Sequence, residues 1–99
     1  MDVRLFDGPA DSSPALLARV TRRIDQALKH VAQHVVRVQV RFTDINGEKK
    51  GVDKRCRIVA QVAKRSPIVV ESYSTDYYRA ADAAATKLRR AAEHRLIQR

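Results

Sequence analysis

Residues 35–63 read VVRVQVRFTDINGEKKGVDKRCRIVAQVA, two runs in which apolar and polar side chains alternate. In the first run Val36, Val38, Val40 and Phe42 share one face, against Arg37, Gln39, Arg41 and Thr43. In the second, Cys56, Ile58, Ala60 and Val62 oppose Arg55, Arg57, Val59 and Gln61. A period of two sends successive side chains to opposite faces of a pleated sheet, so each run is a half-buried strand. Asn46-Gly47 and Gly51 mark a reversal between them, which predicts an antiparallel hairpin with a long loop. One face of that hairpin is rich in arginine and the other is apolar. The apolar face needs a cover, and the flanking segments must supply it.

Before the hairpin, Val3 and Leu5, with Arg4 and Phe6, form a short first strand ended by Asp7-Gly8-Pro9. Asp11-Ser12-Ser13-Pro14 then opens a helix. Ser13 can accept from an orphan amide, and Pro14 suits the first helical position. Leu17, Val20, Ile24, Ala27, Leu28 and Val31 recur at spacings of three and four, an apolar stripe on a helix of about five turns. After the hairpin, Lys64-Arg65-Ser66-Pro67 is a turn, and a third meander strand runs from Ile68 to Tyr73. Ser74-Thr75-Asp76 opens a second helix whose stripe is Tyr78, Ala81, Ala85, Leu88 and Ala92, with Asp76 favoured by the helix dipole. The expected fold class is α+β, in the order β-α-β-β-β-α: a four-stranded sheet with two helices packed on one face. With 99 residues and no linker or repeat, residues 1–99 are read as a single domain.

The far side of such a sheet is open to solvent, which is why it can carry Arg37, Arg41, Arg55 and Arg57. Formal net charge is +9, from 20 Lys and Arg against 11 Asp and Glu. Residues 35–75 hold nine cations against four carboxylates and residues 76–99 six against three, whereas residues 1–34 are nearly balanced. The surplus therefore sits on the hairpin and second helix. A positive surplus fixed on a folded surface selects polyanions, nucleic acid above all. No apolar run approaches the roughly 18 residues of a membrane span, and the acidic start MDVRLFDG is unlike a signal peptide. One cysteine excludes an internal disulfide and fits a reducing compartment, so the expected location is the cytoplasm.

Gly51-Val52-Asp53-Lys54-Arg55-Cys56-Arg57, preceded by Asp44-Ile45-Asn46-Gly47, resembles the short ribosome hibernation promoting factors. That family includes the ribosome-associated inhibitor once called a sigma-54 modulation protein. Asp76, Tyr78, Ala80 and Asp82 match its D-x-Y-x-A-x-D pattern, and Lys87-Leu88-Arg89-Arg90 its K-L-x-R. The resemblance spans nearly the whole chain. It implies binding to the small ribosomal subunit in the mRNA and tRNA channel, contact with 16S ribosomal RNA, and arrest of translation under stress. The matching basic positions are Arg23 and Lys29 on the first helix, Lys54 and Arg55 on the hairpin, and Lys87 and Arg90 on the second helix. Ala81 departs from the family, which has a larger aliphatic there, and this bears on helix packing. Since the chain ends at Arg99, it is expected to lack the C-terminal domain by which longer members pair two ribosomes, and to be a monomer off the ribosome.

Other chemistry is poorly supplied. His30 and His34 stand at i, i+4, but no third ligand accompanies them, and a helix-end pair fits better than a metal site. Cys56 lies on the apolar face of its strand with no base to activate it. Tyr78 continues the core stripe, which leaves Tyr77 as the tyrosine able to meet a base. No phosphate-cradling loop, cofactor signature, small-molecule site or catalytic constellation is visible, so the protein is read as no enzyme. Two further readings stay open: a general double-stranded RNA-binding module, and a basic adaptor that docks an acidic protein.

Overall fold

The computed structural model describes residues 13–45 and 51–97 in full, together with the backbone of residues 2–5. The expected Phe6 and Asp7-Gly8-Pro9 stop, the Asp11-Ser12 lead-in and the Asn46-Gly47 reversal lie outside the described residues. Element order is β1 (Asp2–Leu5), α1 (Pro14–Ala27), β2 (Val35–Asp44), β3 (Lys54–Val62), β4 (Ile68–Ser74) and α2 (Tyr77–Ala92). The antiparallel part of the sheet has three strands, β2-β3-β4. The fourth, β1, joins β2 in parallel, giving the order β1-β2-β3-β4. A parallel pair needs a crossover, and α1 supplies it.

Alternation decides which face is covered. Val38, Val40 and Phe42 of β2, Cys56, Ile58, Ala60 and Val62 of β3, and Ile68 of β4 are buried with the inner faces of both helices in one core. Arg41, Arg57, Val69 and Tyr73 lie exposed on the other face. The expected pattern breaks at the start of β2. A register shift between Val35 and Arg37 leaves Val36 as the extra residue, 57% exposed, and Val35 enters the core instead.

Both helices start as their caps require. The Ser13 hydroxyl accepts from the Leu16 amide at 3.1 Å, with Pro14 at the first helical position. The Asp76 carboxylate accepts from the Arg79 amide at 2.8 Å. Most of the expected stripe positions are buried, Val20, Ile24, Leu28 and Val31 in the first run and Ala81, Ala85, Leu88 and Ala92 on α2, and each stripe departs from expectation at its first residue. In α1 the buried side chain is Leu16, not Leu17, because α1 faces α2 as well as the sheet. Helix α1 stops at Ala27, short of five turns, and Leu28 is its cap. A short 3-10 turn, Ala32–His34, leads into β2. His30 and His34 therefore do not share one helix, and i, i+4 spacing does not place them on one face.

In α2 the core side is Tyr77, Ala80, Ala81, Ala84, Ala85, Leu88 and Ala92. The two tyrosines exchange their expected roles: Tyr77 is 7% exposed and Tyr78 40%. The Tyr77 ring meets Phe42 edge-on, centroids 5.4 Å apart at 79°. Ala81 is completely buried, so the small residue there lies in the packed layer. A final π-helical turn, Glu93–Ile97, ends the described chain. No described helix is long and apolar enough to cross a membrane.

Candidate nucleic-acid interface

Helices α1 and α2 are joined by one carboxylate. Asp82 accepts from Arg19 Nε at 3.2 Å and Nη2 at 2.7 Å, and from Arg23 Nε at 3.1 Å. The Arg19 guanidinium, above all by hydrogen bonding, holds the Asp82 carboxyl below its ordinary range. Arg19 also stands over the Tyr78 ring at 5.8 Å. The D-x-Y-x-A-x-D pattern thus has an architectural account: Asp76 caps α2, Tyr78 lies under Arg19, Ala80 is buried, and Asp82 ties the helices together. Between them runs a groove of about 320 Å3 lined by Arg23, Gln26, Asp82, Thr86 and Arg89.

The six basic residues expected to meet RNA are not gathered in one patch. Arg23 is committed to Asp82. Lys29 is exposed, but it lies in the turn after α1 rather than on the helix. Lys87 and Arg90 are exposed on α2, and the Lys87 ammonium donates to the Glu71 carbonyl on β4 at 2.8 Å. Lys54 and Arg55 are adjacent on β3 and so point to opposite faces. Lys54 turns inward, 21% exposed, with Asp44 at 2.9 Å, Asp53 at 3.5 Å and the Tyr77 ring at 5.8 Å. The hydrogen bond to Asp44 raises its pKa, so the ammonium is held charged and locally neutralised. Arg55 turns outward, where its Nη2 donates to the Thr43 hydroxyl at 3.3 Å.

Sequence reasoning put Arg37, Arg41, Arg55 and Arg57 on the open sheet face but counted only Arg55 as an RNA contact. Tyr73, which is not among the expected site residues, is 46% exposed on that face and stands opposite Arg55 in the ladder. Its place in the alternation of β4 was the available signal. Cys56 lies in the core, and burial pushes its thiol up to about 12, which leaves it protonated and unreactive. Among the described residues no cluster of three His, Cys, Asp or Glu side chains could hold a metal ion. The arrangement offers charge on a rigid frame, suited to binding.

Solved structures share this architecture. One is a ribosomal subunit interface protein from Coxiella burnetii, with TM-score 0.74, 22% identity and 91% of each chain covered. Another is the N-terminal domain of Thermus thermophilus Protein Y, with TM-score 0.73 and 19% identity, covering 96% of this chain and 100% of that one. At these identities the likeness is one of fold. No curated protein matches the sequence. The sequence model described as Sigma 54 modulation protein / S30EA ribosomal protein matches residues 10–96, and the chain belongs to that family.

Proposed function

We propose that this protein is a ribosome hibernation factor. It binds the small ribosomal subunit in the mRNA and tRNA channel, contacts 16S ribosomal RNA through lysine and arginine, and so holds translation off in stationary or stressed cells. Family membership supports the ribosome as partner. The observation that carries the reading is the helical layer: Lys87 and Arg90 are exposed on α2 and Lys29 in the turn after α1, and Asp82 ties these two helices together. An A-form surface is recognised by shape and phosphate contact, which rewards cations held at fixed separations. Binding occludes the channel, with no bond made or broken, no cofactor and no small-molecule substrate. The protein acts as a cytoplasmic monomer.

Arg23 and Lys54 sharpen the expected electrostatics, because each already faces a carboxylate. Six phosphate contacts would give a log affinity against log salt slope of roughly −4 to −5. With those two cations engaged internally the expected slope is roughly −3 to −3.5. Gradient sedimentation of the purified chain with isolated small subunits at low ionic strength tests the proposal. Co-migration that weakens with salt is expected; a chain that stays at the top of the gradient overturns it. Equal affinity for a plain RNA duplex would favour the double-stranded RNA module, and binding that survives complete nuclease digestion would favour the acidic-protein adaptor.

A further inference from the structure

The sheet face turned away from the helices has a charge pattern of its own. Arg41 stands directly opposite Arg57, and Arg55 directly opposite Tyr73. Arg37 extends the row along β2, to about 20 Å in all at a strand rise of roughly 3.3 Å per residue. Gln39, Arg41, Arg55, Arg57 and Val59 line a groove of about 350 Å3. Among the described side chains of this face the sole carboxylate is Glu71. It takes the Arg57 guanidinium and the Tyr73 hydroxyl, each at 3.2 Å. The Nε atoms of Arg37 and Arg55 are enclosed and without a hydrogen-bond partner.

Like charges placed directly opposite weaken a ladder, and nothing in the core asks for arginine at these positions. Gln39, Gln61 and Thr43 show that uncharged polar residues serve the same face. The surplus is complementary to a polyanion, and Tyr73 adds an aromatic ring beside Arg55. An extended single strand carries phosphates along one side and bases along the other. Arginines that track a backbone next to an aromatic platform match that form. A duplex keeps its bases stacked inside, and an acidic peptide has no planar face for the ring.

We infer that the open sheet face is a second RNA-binding surface, which takes a single strand with phosphates on Arg41, Arg55 and Arg57 and a base against Tyr73. The inference rests on the reading that RNA is the partner, and adds a face and a strand form separate from the helical layer. The probe is an oligouridylate of about eight nucleotides, within the usual span of such sites. Its affinity is read by fluorescence anisotropy, beside a duplex of equal length and polyglutamate.

Arg55→Gln with Arg57→Gln should weaken oligouridylate binding by about tenfold or more and flatten the salt slope by roughly 1.4. Tyr73→Ala should weaken it by about tenfold with the slope unchanged. Lys87→Glu with Arg90→Glu should leave it nearly intact. Arg55→Lys with Arg57→Lys keeps the charge and should retain most of the affinity. A loss equal to that of the glutamine pair, with a lowered melting temperature, would overturn the inference in favour of a structural role. So would equal affinity for polyglutamate or for the duplex. A wild-type chain that sediments with small subunits but ignores oligouridylate overturns this inference alone. One that binds oligouridylate and leaves the subunits overturns the hibernation reading and leaves the sheet face standing.

Discussion

Tyr77 and Tyr78 are neighbours with opposite duties. The Tyr77 ring packs on Phe42 and lies under the Lys54 ammonium, so Tyr77→Ala opens a core cavity and should cost about 3 kcal/mol or more in chemical denaturation. Tyr78 contributes an exposed ring to Arg19 and a 3.5 Å hydroxyl contact to Ser13; Tyr78→Ala should cost under about 1 kcal/mol. Asp82 makes a pH prediction. Its folded pKa is depressed by its two arginines. The stability it contributes is therefore complete above the ordinary carboxylate range and is lost as pH falls through the lowered folded value. Asp82→Asn should melt lower than wild type at pH 7, and thermal melts should show the gap closing between about pH 5 and pH 2. Cys56, buried and with its thiol raised to about 12, should resist alkylation at pH 8 until denaturant is added; mass spectrometry reads this directly.

Helix α2 sits close to the sheet because its inner face is nearly all alanine. Little area is buried per residue, so the layer depends on close approach rather than bulk. Ala84 is fully enclosed, and Ala84→Leu should destabilise the fold by about 1–3 kcal/mol through overpacking, measured by urea unfolding. The far end of α2 is held by paired backbone contacts. Arg95 donates to the Ser66 and Pro67 carbonyls at 2.7 and 3.0 Å, while Arg65 donates to the Arg95 carbonyl at 2.8 Å. These arginines bind the β3–β4 turn to the π-helical turn, and part of the positive surplus is structural for that reason. Gly51 adopts φ of +134° at the hairpin loop, a conformation L side chains rarely take, in keeping with its place in the loop.

Among the described residues the cations offered to a partner fall into two groups, a helical layer and an open sheet face. Lys29, Lys87 and Arg90 belong to the first; Arg37, Arg41, Arg55 and Arg57 belong to the second. Lys87→Glu with Arg90→Glu changes exposed side chains without touching the core, so co-sedimentation with small subunits should be lost while the melting temperature stays within a few degrees. An unchanged sediment would remove those two residues from the interface. Their carbonyl and solvent contacts release the charge for a partner, whereas the carboxylates beside Arg23 and Lys54 hold theirs.

Element order, the two caps, the hairpin alternation and the sign of the surface charge were all legible in the linear chain, because each follows from spacing a few residues apart. Leu16 in place of Leu17, Tyr77 in place of Tyr78, and Val35 in place of Val36 were not. Those choices turn on the angle at which a helix meets two neighbours, and on one extra residue in a strand. Which arginines face Asp82, and that Lys54 faces Asp44 and Asp53, was likewise settled by tertiary contacts, between segments up to 63 residues apart. Local periodicity names the faces; only packing brings a distant carboxylate to a cation and decides how much of its charge a partner can use.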